Sequence, residues 1–416
     1  EDKRASPVAT GASDAAPKDS FPTFLCYNYF MNDFDYLKSG DVYLDCACQS
    51  LRPNEVVETL ERYYCKHNSC GERVKYEWGK ITDKLVESTR EKVLKFLKLP
   101  QRKYTTSFTL NTTYGINLIL SQIDHSKFKK IMTSEIEHNS PFLASIAFSK
   151  RTGLPREVMK RNDDGSIPIF DYDFEKAIVV VNCASNFDGR KLLNIKELTK
   201  AVHKAGGILI IDAAQAMAHS SDILKGVEVD AICFSAHKMY APSLGVIVWR
   251  DDLDKSLLPY WLGGGMVDDV EKDRYVLSAE NKAHRYTRFE SGLQAWGEIV
   301  ALGAAIDWLE HLSKKDWQNL RDNCQEMFDF LNGSSKVHLI NKEPNPTMSF
   351  YVDGLDSHLL GEALSRENIM ARTGYFCVHY YLDHVLKMPP LIRFSLGLHN
   401  TPEDIEKVKK VMKNVI

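Results

Sequence analysis

The sequence predicts an α/β fold: a large domain around a mostly parallel sheet, then a smaller α+β domain. Two patterns carry that expectation. Short, almost uniformly apolar runs alternate with amphipathic stretches through the middle of the chain, and from about residue 270 the texture changes to longer helical segments. The runs "TTSFTL" (105–110), "KKIMT" (129–133), "AIVVVN" (177–182), "GILIID" (207–212), "AICFS" (231–235) and "GVIVW" (245–249) read as buried strands. Several are too apolar to leave one face in water. Amphipathic segments such as "NIKELTKAVHKAG" separate many of them, with Gly206 and Gly207 as a helix stop. Farther on, "LQAWGEIVALGAAIDWLEHL" and "DWQNLRDNCQEMFDFLN" read as helices. In the closing "TPEDIEKVKKVMKNVI", Thr401 is the N-cap and Pro402 the first helical residue, and Ile405, Val408, Met412 and Val415 share one apolar face. The expected division is a disordered lead over 1–20 and a segment over 21–40 packing on the small domain. A large domain over 41–280 and a small one over 281–416 follow.

Composition narrows the function class. With 416 residues, 44% of them hydrophobic, the chain can bury a large core. Its 53 basic and 56 acidic residues give a formal net charge of −3, so it lacks the one-signed field that nucleic acid or an anionic membrane would require. Small-molecule chemistry is the expectation. Nine cysteines, without CxxC pairs or a regular framework, argue against a disulfide scaffold and a zinc site, and for a reducing, cytoplasmic setting or an organelle. No apolar run approaches the roughly 20 residues of a membrane span. The first residues, "EDKRASPVATGASDAAPKDS", are small and polar and are set apart from the fold.

Polar residues gather where the strands end. Thr112 and Thr113 follow the first run, Glu137 and His138 the second, Ser185 and Asn186 the third; Asp212 and Gln215 close the fourth, and Ser235, His237 and Lys238 the fifth. Singly, each reads as a helix cap or turn residue. Five clusters in register point instead to the crevice at the carboxyl ends of a parallel sheet, where ligands bind. Lys238, among Ala236, Ala241 and Ser243, can reach a cofactor aldehyde as a Schiff-base lysine while Ser235 and His237 meet a phosphate. Asp212 can hold a protonated pyridine nitrogen, which makes pyridoxal 5'-phosphate the fitting cofactor. "LNTTYGIN" offers two hydroxyls and backbone N–H groups at a helix start, a phosphate site without a Walker lysine. His138 reads equally as a loop histidine or a site residue.

These residues carry a resemblance. "FSAHKMYAPSLGVIVW" resembles the S-G-H-K segment of the class V aminotransferase family, and in particular its cysteine desulfurase and selenocysteine lyase branch. "LNTTYGINL", "SEIEHNSPF", "CASNFDG", "IDAAQAMAH" and "RFESGLQAWGEIVALGAAIDWL" resemble, in order, further segments of that family from about Tyr43 to the C-terminus. The resemblance implies the pyridoxal-phosphate transferase fold type I. It implies Lys238 on the cofactor and later as general base, Asp212 on the pyridine nitrogen and His138 stacked on the ring. Gln215 and Asn186 would face the phenolic oxygen or the substrate; Thr112, Thr113, Ser235 and His237 would bind phosphate. "ARTGYFCVHYY" resembles the desulfurases' R-x-G-x-x-C loop, with Arg372 beside the substrate and Cys377 as sulfur acceptor, although a structural cysteine beside Phe376 is the competing reading. "LIRFSLGLHNT" implies Arg393 as the carboxylate clamp. The short Cys377 to Arg393 spacing resembles the SufS-like group.

The chain also departs from the family pattern. Leu293 stands where a threonine is frequent, Asn111 and Ala236 where glycines are, Asn139 where a second histidine is common, and Cys46 and Cys48 occupy the substrate-side segment. "SNFDGRK" also resembles molybdenum-cofactor sulfurases. The expectation is a homodimeric, pyridoxal-phosphate-dependent desulfurase that passes sulfur from L-cysteine to Cys377 and on to an acceptor protein, as iron–sulfur cluster assembly requires. Selenocysteine lyase, C–S lyase and aminotransferase are alternatives within the family, and a silent sulfur-relay scaffold is the alternative outside it.

Overall fold

A computed structural model describes residues 33–72 and 74–416; the lead over 1–20 and residues 21–32 lie outside the described residues. All six expected strands form, as β1 (Tyr104–Thr109), β2 (Lys130–Ser134), β4 (Ala177–Asn182), β5 (Ile208–Asp212), β6 (Ala231–Ser235) and β7 (Gly245–Arg250). A further edge strand, β3 (Arg156–Met159), is not expected from the sequence, because "REVM" is short and carries no apolar run. The seven-stranded sheet has the order β1-β7-β6-β5-β4-β2-β3. Neighbours from β6 through to β3 run parallel, and β7 is antiparallel to both β6 and β1. The carboxyl ends of β2, β4, β5 and β6 therefore share one rim. Ser235 at the end of β6 and Thr109 at the end of β1 both pair with Gly245 at the start of β7.

Helices α1 (Asn54–Lys66) and α2 (Glu77–Phe96) cover one sheet face; α3 (Thr112–Gln122) and α4 (Asn139–Thr152) cover the other, and α5 (Ile195–Lys204) joins β4 to β5. The helix α6 (Trp296–His311) lies past the expected boundary at residue 281. Its Ile299, Leu302, Ile306 and Trp308 lie in the same core as Val181, Ile211 and Phe234 of the large sheet. An all-round apolar helix must be enclosed, and α6 is enclosed by α1 and α2. A Cβ on Gly297 would meet Tyr63 of α1 at 2.8 Å, so the close approach requires glycine there. Each such fully buried side chain contributes about 1.5–3 kcal/mol.

The second core belongs to a four-stranded antiparallel sheet, β8 (Val337–Leu339), β9 (Thr347–Val352), β10 (Arg372–Gly374) and β11 (Leu391–Ser395), in the order β8-β9-β11-β10. Helices α7 (Lys314–Asn332), α8 (Ser357–Arg366) and α9 (Pro402–Met412) pack on it. Thr401 and Asp404 cap α9 reciprocally, and Ile405, Val408 and Met412 are buried as expected. Val42 and Leu44, placed by sequence in the large domain, bury in this second core. From the segment over 21–40, Phe34 meets Trp308 and Tyr240 of the first core edge-on or tilted, besides His399. Apolar burial, not chain order, decides these memberships. A small cluster of Ile136, Phe187, Phe376, Val378 and Leu391 seals the seam between the two sheets.

Candidate active site

The rim of the large sheet is built from the bottom up by close backbone approach. A Cβ on Gly245 would lie 2.4 Å from the Asn111 nitrogen, so β7 can start against the foot of α3 only as glycine. Asn111 has φ of −171° and caps α3 by accepting from Tyr114 N at 2.9 Å, and Ala236 sits in a buried turn with ordinary φ; neither position needs the glycine the family often has. Ser235 Oγ accepts from Thr112 N at 2.9 Å and lies 2.7 Å from Thr112 Oγ1, tying the end of β6 to the start of α3. Thr113 Oγ1 lies 2.6 Å from Ser140 Oγ, and Ser140 in turn meets His138.

That last contact settles a tautomer. The Ser140 backbone N–H donates to His138 Nδ1 at 3.0 Å, and an amide can only donate, so Nδ1 carries the lone pair and Nε2 the proton. Burial first, then the charges of Lys238 and Arg393, push the imidazole down to about 3. His138 is therefore neutral. Asp212, 4% exposed at the end of β5, accepts from Ala214 N at 2.9 Å; burial raises its carboxyl above the usual range, with Lys238 pulling the other way. Lys238 is lowered, chiefly by burial, against the attraction of Asp212. Among the described residues its ammonium has no hydrogen-bond partner, which leaves a lysine aimed into a crevice also lined by Gln215, Ala184, Ser185 and Ala47. Gln215 Nε2 donates to Ala47 O at 2.7 Å. His237 is pushed down to about 4 by burial, Lys238 and Arg52, and its carbonyl accepts from Ser50.

The opposite wall comes from the second core. Arg393 on β11 is 3% exposed; its Nη1 donates to Asn186 O and its Nη2 to Asp45 Oδ1, both at 2.9 Å, and Phe376 lies on its guanidinium face at 4.9 Å. Arg372 donates from Nη2 at 2.7 Å and from Nε at 3.0 Å to Asp45 Oδ2, and also touches Cys48 Sγ. Asn186 Nδ2 donates to Phe376 O at 2.6 Å. Among the described residues, Asn186 Oδ1 and Arg393 Nε are buried without a hydrogen-bond partner. Cys377 is exposed, and Asn139 N donates to its carbonyl at 2.6 Å. Phe376 and Cys377 both have left-handed backbones, with φ of 48° and 60°. The charges of Cys377 and Cys48 act on Lys238 in the direction opposite to its burial.

The match to the aminotransferase class-V family model runs over residues 42–408 and takes in every one of these side chains. The chain belongs to the aminotransferase class-V family. Among relatives of this class-V chain, a probable cysteine desulfurase of Vibrio cholerae is 26% identical over 377 residues, 88% of this chain and 91% of that protein. One from Pyrococcus abyssi is 27% identical over 386 residues, 90% and 94%. The solved apo structure of a cysteine desulfurase from Thermococcus onnurineus superposes with a TM-score of 0.80 at 26% identity, covering 90% of this chain and 94% of that one.

Class-V enzymes depend on pyridoxal 5'-phosphate, and the residues present fit that group. A buried carboxylate with a single backbone donor suits a pyridinium, an ammonium without a hydrogen-bond partner suits an aldehyde, and the orphaned Asn186 Oδ1 and Arg393 Nε wait for polar partners. Among the described residues no His, Cys, Asp and Glu group is placed to hold a metal ion. Thr112, Thr113, His138, Asn186, Asp212, Gln215, Ser235, His237 and Lys238 lie at or just beyond strand ends of the large sheet, Arg372 and Arg393 lie on the small sheet, and Cys377 lies three residues past β10. Sequence reasoning missed Asp45, Ser140 and the Asn139 amide. Asp45 closes the short apolar run "VYL", so the same strand-end logic that found Asp212 could have found it.

Proposed function

We propose that the protein is a pyridoxal-phosphate-dependent desulfurase that converts L-cysteine to L-alanine and moves the sulfur to Cys377. The observation that carries this reading is the meeting of two walls: Asp212, His138 and Lys238 stand at the strand ends of the large sheet, Arg393 of the second core bonds Asn186 O just beyond the end of β4, and the Cys377 carbonyl is held by the amide next to His138. Bound there, the cofactor supplies an electron sink for the substrate's α-carbon. Arg393 and Arg372 hold the α-carboxylate, and the unpaired Nε of Arg393 gives one donor for it. Lys238, its basicity reduced by burial, takes the α-proton and returns it. His138, with Nε2–H as its only donor, would lie against the ring, and Asp212 would meet the ring nitrogen. Thr112, Thr113, Ser235 and His237 would hold the phosphate, with Gln215 and Asn186 toward the phenolic oxygen or the substrate.

The sulfur step balances without an outside oxidant. The Cys377 thiolate attacks the substrate sulfur, an S–S bond forms as the C–S bond breaks, and the carbon side takes up a proton, leaving alanine and a persulfide. A reducing acceptor protein then receives the sulfur. The exposure of Cys377 supports that hand-off. A homodimer is supported by Tyr260, Trp261 and Leu293, exposed apolar side chains on adjacent loops that Gly292 N and Gly264 O join at 2.8 Å. The free cysteines among the described residues fit a reducing compartment such as the cytoplasm. The test is an assay of alanine and sulfide from L-cysteine in wild type, Lys238→Ala and Cys377→Ala. Full sulfide release by Cys377→Ala would point to a lyase of another kind, and activity in Lys238→Ala would remove the cofactor chemistry altogether.

A further inference from the structure

We infer that Asp45 is a built-in counter-charge that sets how much negative charge the substrate carries into the arginine fork. This rests on the reading of Arg393 and Arg372 as the carboxylate site. The backbone on either side of Asp45 is held by bonds separate from its carboxylate's own contacts: Ser395 N donates to Leu44 O at 2.8 Å, Cys46 N to Ser395 O at 3.2 Å, and Ala47 N to Ser395 Oγ at 2.9 Å. Ser395 lies two residues beyond Arg393 on β11, so the carboxylate and the guanidinium are held in register. One oxygen of Asp45 takes Arg393 and the other takes Arg372.

The charge count follows from that geometry. Both guanidiniums are permanently charged, and a single carboxylate between them leaves one positive charge uncompensated. In the holoenzyme Lys238 would not add to it, because its amine would be joined to the cofactor aldehyde, while Asp212 would be matched by the pyridine nitrogen. One α-carboxylate therefore neutralises the fork, and a second anionic group on the ligand finds no cation left. The orphaned Nε of Arg393, in a side chain 3% exposed, is the donor that the incoming carboxylate satisfies. Asp45 thus selects amino acids with one carboxylate over those with two, acting as a positioning and charge-setting residue that never touches the reacting sulfur.

The test compares holoenzyme carrying Asp45→Asn, Asp45→Ser and Asp45→Glu with wild type, measuring inhibition by L-alanine and by L-aspartate against L-cysteine. Removing the charge should move the alanine-to-aspartate preference at least about tenfold toward aspartate, while Asp45→Glu stays near wild type. A structural role would weaken both inhibitors together and leave their ratio unchanged, and that result in the Asn and Ser variants overturns the inference. Should the wild-type holoenzyme fail to consume L-cysteine, the proposed function falls by itself. The same ratio is then read from titration of the visible cofactor band with the two amino acids: a shift toward aspartate supports the charge-setting role, and an unchanged ratio overturns it.

Discussion

Replacing Glu290 by alanine should cost about 3–5 kcal/mol of stability, because it strands a buried cation. Arg90 and Glu290 have side chains 6% and 2% exposed and meet fork to fork, Nη1 to Oε1 at 2.6 Å and Nη2 to Oε2 at 2.7 Å. Glu290 Oε1 also accepts from Phe108 N at 2.7 Å, and Arg90 Nη1 donates to Thr106 O at 2.7 Å. The guanidinium lies over Tyr286 at 3.9 Å and Phe108 at 4.7 Å. Without Glu290, the Thr106 carbonyl, two ring faces and the solvent-exposed Glu87 carboxylate, 3.7 Å from Arg90 Nε, are what remain for a full charge, and the Phe108 N–H loses its acceptor. Against a typical total of about 5–15 kcal/mol, that loss is large. Urea unfolding of holoprotein reads it directly. The companion change, Arg90→Met with Glu290→Leu, removes both charges and should cost well under either single substitution. A Glu290→Ala variant within about 1 kcal/mol of wild type, or a double variant no better than it, would refute the account of this pair as a buried, mutually dependent unit.

Arg393→Lys should raise KM for L-cysteine by roughly one to two orders of magnitude with a smaller effect on kcat, since a point ammonium cannot keep Asn186 O and Asp45 and still present a donor. Steady-state kinetics decide it, and a KM near wild type sinks the clamp. His219, bonded to Tyr240 Oη at 2.8 Å, is pushed down to about 4 by burial. The folded chain keeps it neutral while the unfolded chain protonates below about pH 6.5, so its contribution is whole above that pH and drains at about 1.4 kcal/mol per unit toward pH 4. The stability gap between wild type and His219→Gln should therefore narrow by roughly 2 kcal/mol from about pH 7 to about pH 5; a gap independent of pH contradicts a buried neutral imidazole.

The strands of the large sheet are legible in the sequence because runs such as "AIVVVN" are apolar on both faces, and the polar residues beyond them fall into one rim for the same reason. The orientation of β7 is not legible, since a six-residue apolar strand reads alike in either direction. Nor is the partner of α6: all-round apolarity says that a helix is enclosed and is silent about by what. Lys238 and Asp212 stand out as charges at the ends of apolar runs. The contacts that complete the site, Asn186 to Phe376 O and Asp45 to Arg393, span 190 and 348 residues, and no local pattern encodes them.

The side chains flanking Cys377 are buried, but at 376 and 377 the hydrogen bonds go to peptide groups: Asn186 holds the carbonyl of Phe376 and Asn139 the carbonyl of Cys377. Peptide carbonyls are common to every amino acid, so the grip is blind to which side chain stands at 377. An alanine or serine there keeps both handholds and bears only the modest cost of a left-handed backbone that cysteine already bears. The fold thus treats the thiol as an interchangeable tool on a fixed mount, and substitution at 377 becomes a chemical deletion in an otherwise undisturbed molecule.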